Sequence, residues 1–185
     1  RLVGSEMCIR DRQYTEPISM RDGGTVTAWF ANNPSIKTTT TFKKLETIQT
    51  EVIYASSEEV GDGDAKNLVD GDPATYWHSM YSVTVAKYPH WVDLDAGEVK
   101  TIKGFTYMPR QDSYNGNVKE YTIHVSMDGK NWGEPVQKGT FAGNRDEKKV
   151  IFSQPVKGRY IRFTALSEQY GQDYASGAEL TILAE

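Results

Sequence analysis

Cysteine is almost missing from this 185-residue chain: Cys8 stands alone, so no internal disulfide framework is available to it. No apolar run approaches the ~18 residues that a membrane-spanning helix needs. Nothing at the start reads as a signal peptide. Long helical periodicity is absent. An excess of positive charge is absent too. The net charge is -4 with acids and bases interspersed, which argues against nucleic acid or an anionic membrane as the main partner, because both call for a basic patch. Catalytic signatures are equally scarce. There is no Gly-x-Ser-x-Gly elbow, phosphate loop or His-Glu-x-x-His, and the three histidines lie far apart. The 25 acidic residues leave a carboxylate pair for glycoside cleavage open, yet nothing singles one out beyond the loop around Asp70. What remains is a Tyr-rich composition, 38% hydrophobic, with room for one sizeable domain or one domain plus a fragment.

The first twelve residues stand apart. The string Leu2 to Asp11 resembles the translation of a transposon-end adapter used in DNA library preparation; a genuine N-terminal tail is the alternative. On the adapter reading Cys8 is not biological, the remainder carries a charge of -5, and residues 1–12 are expected to pack against nothing. The reading frame is then cut upstream, which takes any signal peptide with it.

From Gln13 to Leu45 the pattern is β without a core of its own. Tyr14 to Met20, Thr25 to Phe30 and Thr38 to Phe42 are separated by Arg21-Asp-Gly-Gly24 and Asn32-Asn-Pro34, which predicts a three-strand meander. From Glu51 onward strands recur at regular intervals. Val52 to Ala55, Trp91 to Leu94, Val99 to Met108, Val118 to Ser126, Lys149 to Phe152, Tyr160 to Ala165 and Ala178 to Leu183 are predicted strands, with turns at Asp128-Gly129 and Lys157-Gly158. Tyr121, Ile123 and Val125 share one face, as do Ile161, Phe163 and Ala165, with polar residues opposite. One face in and one face wet predicts an all-β, antiparallel β-sandwich. Broken parity at Lys103-Gly104 predicts a bulge.

Several of these segments, in order, carry a family resemblance. Ala55-Ser-Ser-Glu-Glu59, Asn67 to Ser79, Tyr88-Pro-His-Trp-Val-Asp-Leu-Asp95, Gly104 to Asp112, Tyr121 to Trp132, Gly158-Arg-Tyr-Ile-Arg-Phe163 and Ala178-Glu-Leu-Thr-Ile182 together resemble the coagulation-factor-C-type, or discoidin-like, domain. Within it they are most similar to bacterial family-32 carbohydrate-binding modules. The resemblance implies an eight-stranded jelly roll of the galactose-binding-domain type over 47–185, with ligand loops at one end. Residues 13–46 resemble the last strands of the small β-domain of microbial hexosaminidases and fucosidases, a plain β-linker being the alternative.

Two constellations could carry chemistry. The family's sugar motif falls on His78, Arg110 and Asn117. Arg110 offers a planar fork of donors, Asn117 a donor and an acceptor, and neutral His78 both through its two nitrogens. A pyranose also has an apolar C–H face, for which Tyr81 and Tyr174 are the candidate platforms and Tyr114 and Tyr170 the reserves. Glu59 or Glu58 is a candidate acceptor. The second constellation is Asn67, Asp70, Asp72 and Thr75 with Ala178 and Glu179, hard oxygen donors of the kind that Ca²⁺ takes. The resemblance implies a structural cation held by carbonyls of Asn67, Thr75 and Ala178 and side chains of Asp70, Asp72, Thr75 and Glu179. A simple Asp-Gly-Asp-Pro turn is the alternative. The spacing is not that of an EF-hand, since Thr75 and Tyr81 stand where Gly and Glu are required.

The expected function is therefore non-catalytic binding of a glycan with a terminal galactose-type sugar, as an extracellular, periplasmic or cell-surface appendage of an upstream catalytic domain in the same chain. The rival is an adhesion module for protein or phospholipid, which the 79–88 loop, with Lys87 as its single base, disfavours.

Overall fold

The computed structural model describes residues 2–3, 13–18, 20 and 23–185. They form two compact units, an N-terminal one that also takes Glu185, and Thr47–Ala184. In the first, β1 (Leu2–Val3), β2 (Gly24–Phe30) and β3 (Asn33–Phe42) build an antiparallel sheet in the order β1-β2-β3. Cross-strand hydroxyl pairs knit one face, Thr25 to Thr41 at 3.0 Å and Thr27 to Thr39 at 2.9 Å.

Two expectations are corrected here. The described residues between Tyr14 and Met20 are not in a strand, and the third strand is Leu2–Val3, from the stretch expected to pack against nothing. The reason is physical. β2 offers a second edge away from β3, and an extended Leu-Val pair can register on it, Leu2 opposite Ala28 and Val3 opposite Thr27. The remainder of 1–12, including Cys8, and the turn residues Arg21 and Asp22 lie outside the described residues.

The second unit contains β4 (Glu46–Ile48), β5 (Glu51–Ala55), a 3-10 turn (Ala65–Val69), β6 (Trp77–His78), β7 (His90–Met108), β8 (Glu120–Ser126), β9 (Gln137–Thr140), β10 (Lys148–Ala165), β11 (Ser176–Gly177) and β12 (Glu179–Ala184). The main sheet runs β4-β12-β7-β10-β8-β9, with β5 also on β7, and β6 pairs with β11. β7 and β10 are long enough to serve both layers of the sandwich. The first half of β7 pairs with β5, its second half with β12, and β10 accompanies it throughout. The segments Trp91 to Leu94 and Val99 to Met108 are therefore one bent strand, and so are Lys149 to Phe152 and Tyr160 to Ala165. The turn expected at Lys157-Gly158 is inside β10, where Gly158 pairs with Lys100. Glycine is needed there for close approach, since a Cβ would stand 2.2 Å from Val125 Cγ1. The bulge is where parity breaks: Leu183 pairs with Gly104 and Ala184 with Ile102, which leaves Lys103 as the extra residue.

Alternation delivers the inward residues Leu94, Phe105, Tyr107, Tyr121, Ile123, Ile161 and Phe163 to one buried core. Each fully buried large side chain contributes roughly 1.5–3 kcal/mol. Aromatic stacking adds order at its centre, with Tyr121 and Phe141 rings 4.1 Å apart and Tyr107 and Phe141 5.0 Å apart. The opposite face is drier than its polar pattern predicts. Arg162 forks onto Asp93 at 2.6 and 2.7 Å and lies between the Trp132 and Trp91 rings, 4.3 and 5.4 Å away.

The registers put the loops at one end. Ala165 pairs with His90 and with Tyr121, Ala55 with Val92, Glu120 with Thr140, and Glu179 with Met108. The connections 56–76, 79–89, 109–119, 141–147 and 166–175 all leave from that edge. The opposite end is the bend of β7. Ile48 lies there, lining a shallow hollow with Gly97 and Lys100, and Ala184 pairs with Ile102 nearby.

Candidate functional site

At the loop end, four short segments lie side by side. The Glu59 N–H donates to the His78 carbonyl at 2.8 Å, and the His78 N–H donates to the Gly63 carbonyl at 3.1 Å. On its other side His78 pairs with Ser176, and Ser176 bridges to Asn117. Gly63 is required by proximity, since a Cβ would meet the His78 Cβ at 2.7 Å. This small sheet brings His78 and Asn117 onto one line, 39 residues apart in sequence.

His78 is 2% exposed, with Nδ1 2.6 Å from the Ser79 carbonyl. That carbonyl accepts, so Nδ1 carries the proton and the neutral ring turns Nε2 outward as an acceptor. Burial holds the His78 pKa below the usual 6.5, and Arg110 lowers it further, which favours the neutral form. Tyr81 meets His78 edge-on with centroids 4.9 Å apart, and Tyr174 leans on it at 5.4 Å. Tyr81 is 37% exposed. Its hydroxyl donates to Asp62, which pushes its pKa up to about 12.

Arg110 reaches the same cluster through Tyr76, its guanidinium carbon 3.6 Å from that ring's centre. It is oriented by Asp112, which accepts from Nε and Nη2 at 2.5 and 2.9 Å. The pairing lowers the Asp112 pKa and raises that of Arg110. Asn117 is 1% exposed; its Nδ2 donates to the Asn144 carbonyl at 3.3 Å, while Oδ1 is buried and has no partner among the described residues. Such an orphaned acceptor costs about 1–3 kcal/mol.

Glu59, the candidate acceptor, is bonded to the loop that carries Tyr81. Its Oε2 accepts the Tyr81 and Ser82 amides at 2.7 and 3.0 Å, and Oε1 accepts the Ser82 hydroxyl. These bonds, the hydroxyl's first, lower its pKa and fasten the loop that carries Tyr81. Glu58 caps the 3-10 turn through Ala65 N–H at 2.7 Å. The sequence reading missed Tyr76, Asp62 and Asp112. Two signals were available: Tyr76 shares the side of His78 at i-2 on an extended strand, and Asp112 follows Arg110 by two residues.

The oxygen-rich loop is ordered by its own side chains. Asp70 accepts from the Asp72 amide at 2.9 Å and the Thr75 hydroxyl at 2.7 Å, and Asp72 accepts from the Ala74 amide at 2.9 Å. The Asn67 side chain instead donates to the Tyr76 carbonyl at 3.0 Å. Glu179 projects against Asp70. Burial, then the bond to Asp70, pushes its pKa up to about 7. Its Oε1 is buried with no partner among the described residues. No cluster of three or more His, Cys, Asp or Glu arranged for a metal occurs among the described residues; the remaining candidate donors are carbonyls and one hydroxyl.

Comparison with known proteins adds three findings. The profile of the F5/8 type C domain matches residues 52–180. A sialidase from Micromonospora viridifaciens is 39% identical over 172 residues, 91% of this chain and 26% of that protein, so the chain spans about a quarter of that relative's length. Among solved structures, a family-32 carbohydrate-binding module from Clostridium perfringens in complex with GalNAc-β-1,3-galactose superposes with a TM-score of 0.68 at 31% identity, covering 74% of this chain and 99% of that one. The family-32 module of Clostridium perfringens NanJ in complex with galactose gives 0.67 at 27%, covering 75% and 98%.

Proposed function

The chain belongs to the F5/8 type C, or discoidin-like, domain family, and from that premise we propose that it is a non-catalytic module holding a terminal galactose-type sugar on its loop end. The observation that carries this is the convergence of His78, Tyr81 and Tyr174 in one aromatic cluster, with Arg110 alongside. Nε2 of neutral His78 accepts from a sugar hydroxyl, Arg110 donates to hydroxyl oxygens through the N–H groups that Asp112 leaves over, and a tyrosine ring covers the C–H face. Asn117 completes the floor once its amide is reached. Each sugar–protein hydrogen bond replaces one to water and nets only about 0.5–1.5 kcal/mol. The affinity is therefore millimolar to high micromolar, on the order of -4 to -6 kcal/mol.

Ca²⁺ belongs to this proposal. The orphaned Glu179 Oε1 and the close approach of its carboxyl to Asp70 fit a cation, since two carboxylates so near must share a proton or a positive charge. Asp70, Asp72, Thr75 and Glu179 side chains with the carbonyls of Asn67, Thr75 and Ala178 would hold it, and its charge would pin a loop that lacks ladder hydrogen bonds.

The module is proposed to sit in a secreted glycoside hydrolase and to concentrate substrate near the catalytic domain. A lipid-contacting alternative draws on Val83, 85% exposed in the 79–88 loop. Against it, Lys87 is already paired with Asp173 at 2.5 Å. Titration calorimetry with galactose, N-acetylgalactosamine and glucose, beside liposome co-sedimentation, decides between them. Galactose-type binding with glucose weaker supports the proposal; lipid binding without sugar binding overturns it.

A further inference from the structure

Beside Asn117, on the side away from His78, the loops carry a second aromatic cluster. Tyr114 and Tyr170 are 43% and 59% exposed and meet edge to face, with ring centroids 6.1 Å apart. The Arg145 guanidinium lies 4.5 Å from the Tyr114 ring centre. Arg145 donates through Nη1 to the Gln111 carbonyl, and among the described residues no acceptor meets its other donors.

The cluster is held in place by backbone. The Asn117 N–H donates to the Tyr114 carbonyl at 3.1 Å, and the Asn117 carbonyl accepts from the Gln169 N–H at 3.0 Å. Tyr170 N–H is fixed on Glu168 Oε1 at 2.9 Å. The Gln169 side chain donates to the Val118 and Phe141 carbonyls at 3.2 and 3.0 Å. The backbone that carries both rings is thus fixed, and the rings bear on each other and on the Arg145 guanidinium, which has spare donors.

Their position relative to the first cluster follows from pairing. His78 neighbours Ser176, Ser176 neighbours Asn117, and Asn117 neighbours Gln169. One inter-strand spacing separates each, so Asn117 lies about 10 Å from His78 and Gln169 about 14 Å. A first sugar seated between His78 and Asn117 therefore has the Gln169–Tyr170 segment one strand spacing beyond its outer edge, on the side that a linked sugar would take.

We propose that Tyr114, Tyr170 and Arg145 form a second sugar subsite, so that the module recognises a galactose-type residue together with the sugar to which it is linked. The second residue lays its C–H face on the tyrosines and gives a hydroxyl oxygen to Arg145. This rests on the reading of the His78 cluster as the first subsite.

The test uses the whole chain with galactose and with β1,3-, β1,4- and β1,6-linked galactosyl disaccharides, by calorimetry or NMR shift titration. At least one disaccharide should bind about three- to tenfold tighter than galactose. Tyr170→Ala and Arg145→Ala should each remove most of that gain and leave galactose binding unchanged, whereas Tyr170→Phe should keep it. Equal affinity for galactose and every disaccharide overturns the second subsite alone, provided galactose still binds. A gain that survives Tyr170→Ala, or an equal loss for galactose and disaccharide, overturns it too. Failure of galactose and all disaccharides to bind overturns the first reading, and the second subsite with it.

Discussion

Replacing Arg110 by alanine should abolish sugar binding while sparing the fold, and the structure lets both halves of that expectation be sized. The guanidinium holds Asp112 by two bonds and lies on Tyr76. The Asp112 side chain is 61% exposed, so the ion pair contributes about 0–1 kcal/mol after solvent screening. The cation–π contact adds about 0.5–1 kcal/mol. A loss of about 1–2 kcal/mol lowers the melting temperature by several degrees and leaves the module folded. Hydrogen bonds from a charged donor to the sugar are stronger, roughly 1.5–3 kcal/mol in all, which is about ten- to a hundredfold in affinity. A millimolar ligand then falls below detection. Arg110→Lys keeps the charge but not the fork, and should resemble alanine more than the parent. Asp112→Ala tests orientation, weakening binding by less than removal of the guanidinium itself. Calorimetry with galactose, paired with a thermal melt, reads all of these. Parental affinity in a folded Arg110→Ala, or shifts mapping to the bend of β7, would refute the reasoning.

Three further outcomes are expected. Ca²⁺ should raise the melting temperature by an amount set by RT ln(1 + [L]/Kd), about 2.7 kcal/mol at a hundredfold excess over Kd, and Asp70→Ala should remove most of the effect. Superimposable melts with and without chelator, on protein that elemental analysis finds free of metal, would count against the cation. Because burial depresses the His78 pKa below 6.5, the unfolded chain binds more protons than the folded one as pH drops under that value. His78 therefore contributes its stability above pH 6.5 and loses it as pH drops from 6.5 through its lower folded-state pKa, and galactose affinity should stay flat through 6.5 and fall only as pH approaches that lower value; His78→Gln should flatten its share of the stability slope. Gly63→Ala forces a Cβ against the His78 backbone N at 2.8 Å and Cβ at 2.7 Å, so it should cut galactose affinity more than the exposed change Val83→Ala, as NMR titration of both would show.

The core and the layer architecture were legible because they follow from period-two alternation. Tyr121, Ile123, Ile161 and Phe163 needed no tertiary information to be placed inside. Lys103 was legible as a bulge for the same reason. What failed was reading turns from composition alone. Lys157-Gly158 looks like a turn, yet glycine also serves where Val125 presses on a backbone. In the site, His78, Arg110, Asn117 and Glu59 could be named from the sequence, whereas the bonds that orient the site could not. Glu59 and Asp112 act by hydrogen bonds to groups whose proximity only the fold creates, as Glu59 does across 22 residues to Tyr81. The pairing of Leu2 and Val3 with β2 was equally out of reach, since an open edge accepts any extended neighbour.

The second unit's first strand lies beside its last, with Ile48 and Ala184 near the bend and the site-bearing loops at the far end. A unit that starts and stops at neighbouring points, about one strand spacing apart, is portable. It can be spliced into a surface loop of a host protein without stretching that loop, or duplicated in tandem, and in each setting its loop face stays at the end remote from the splice.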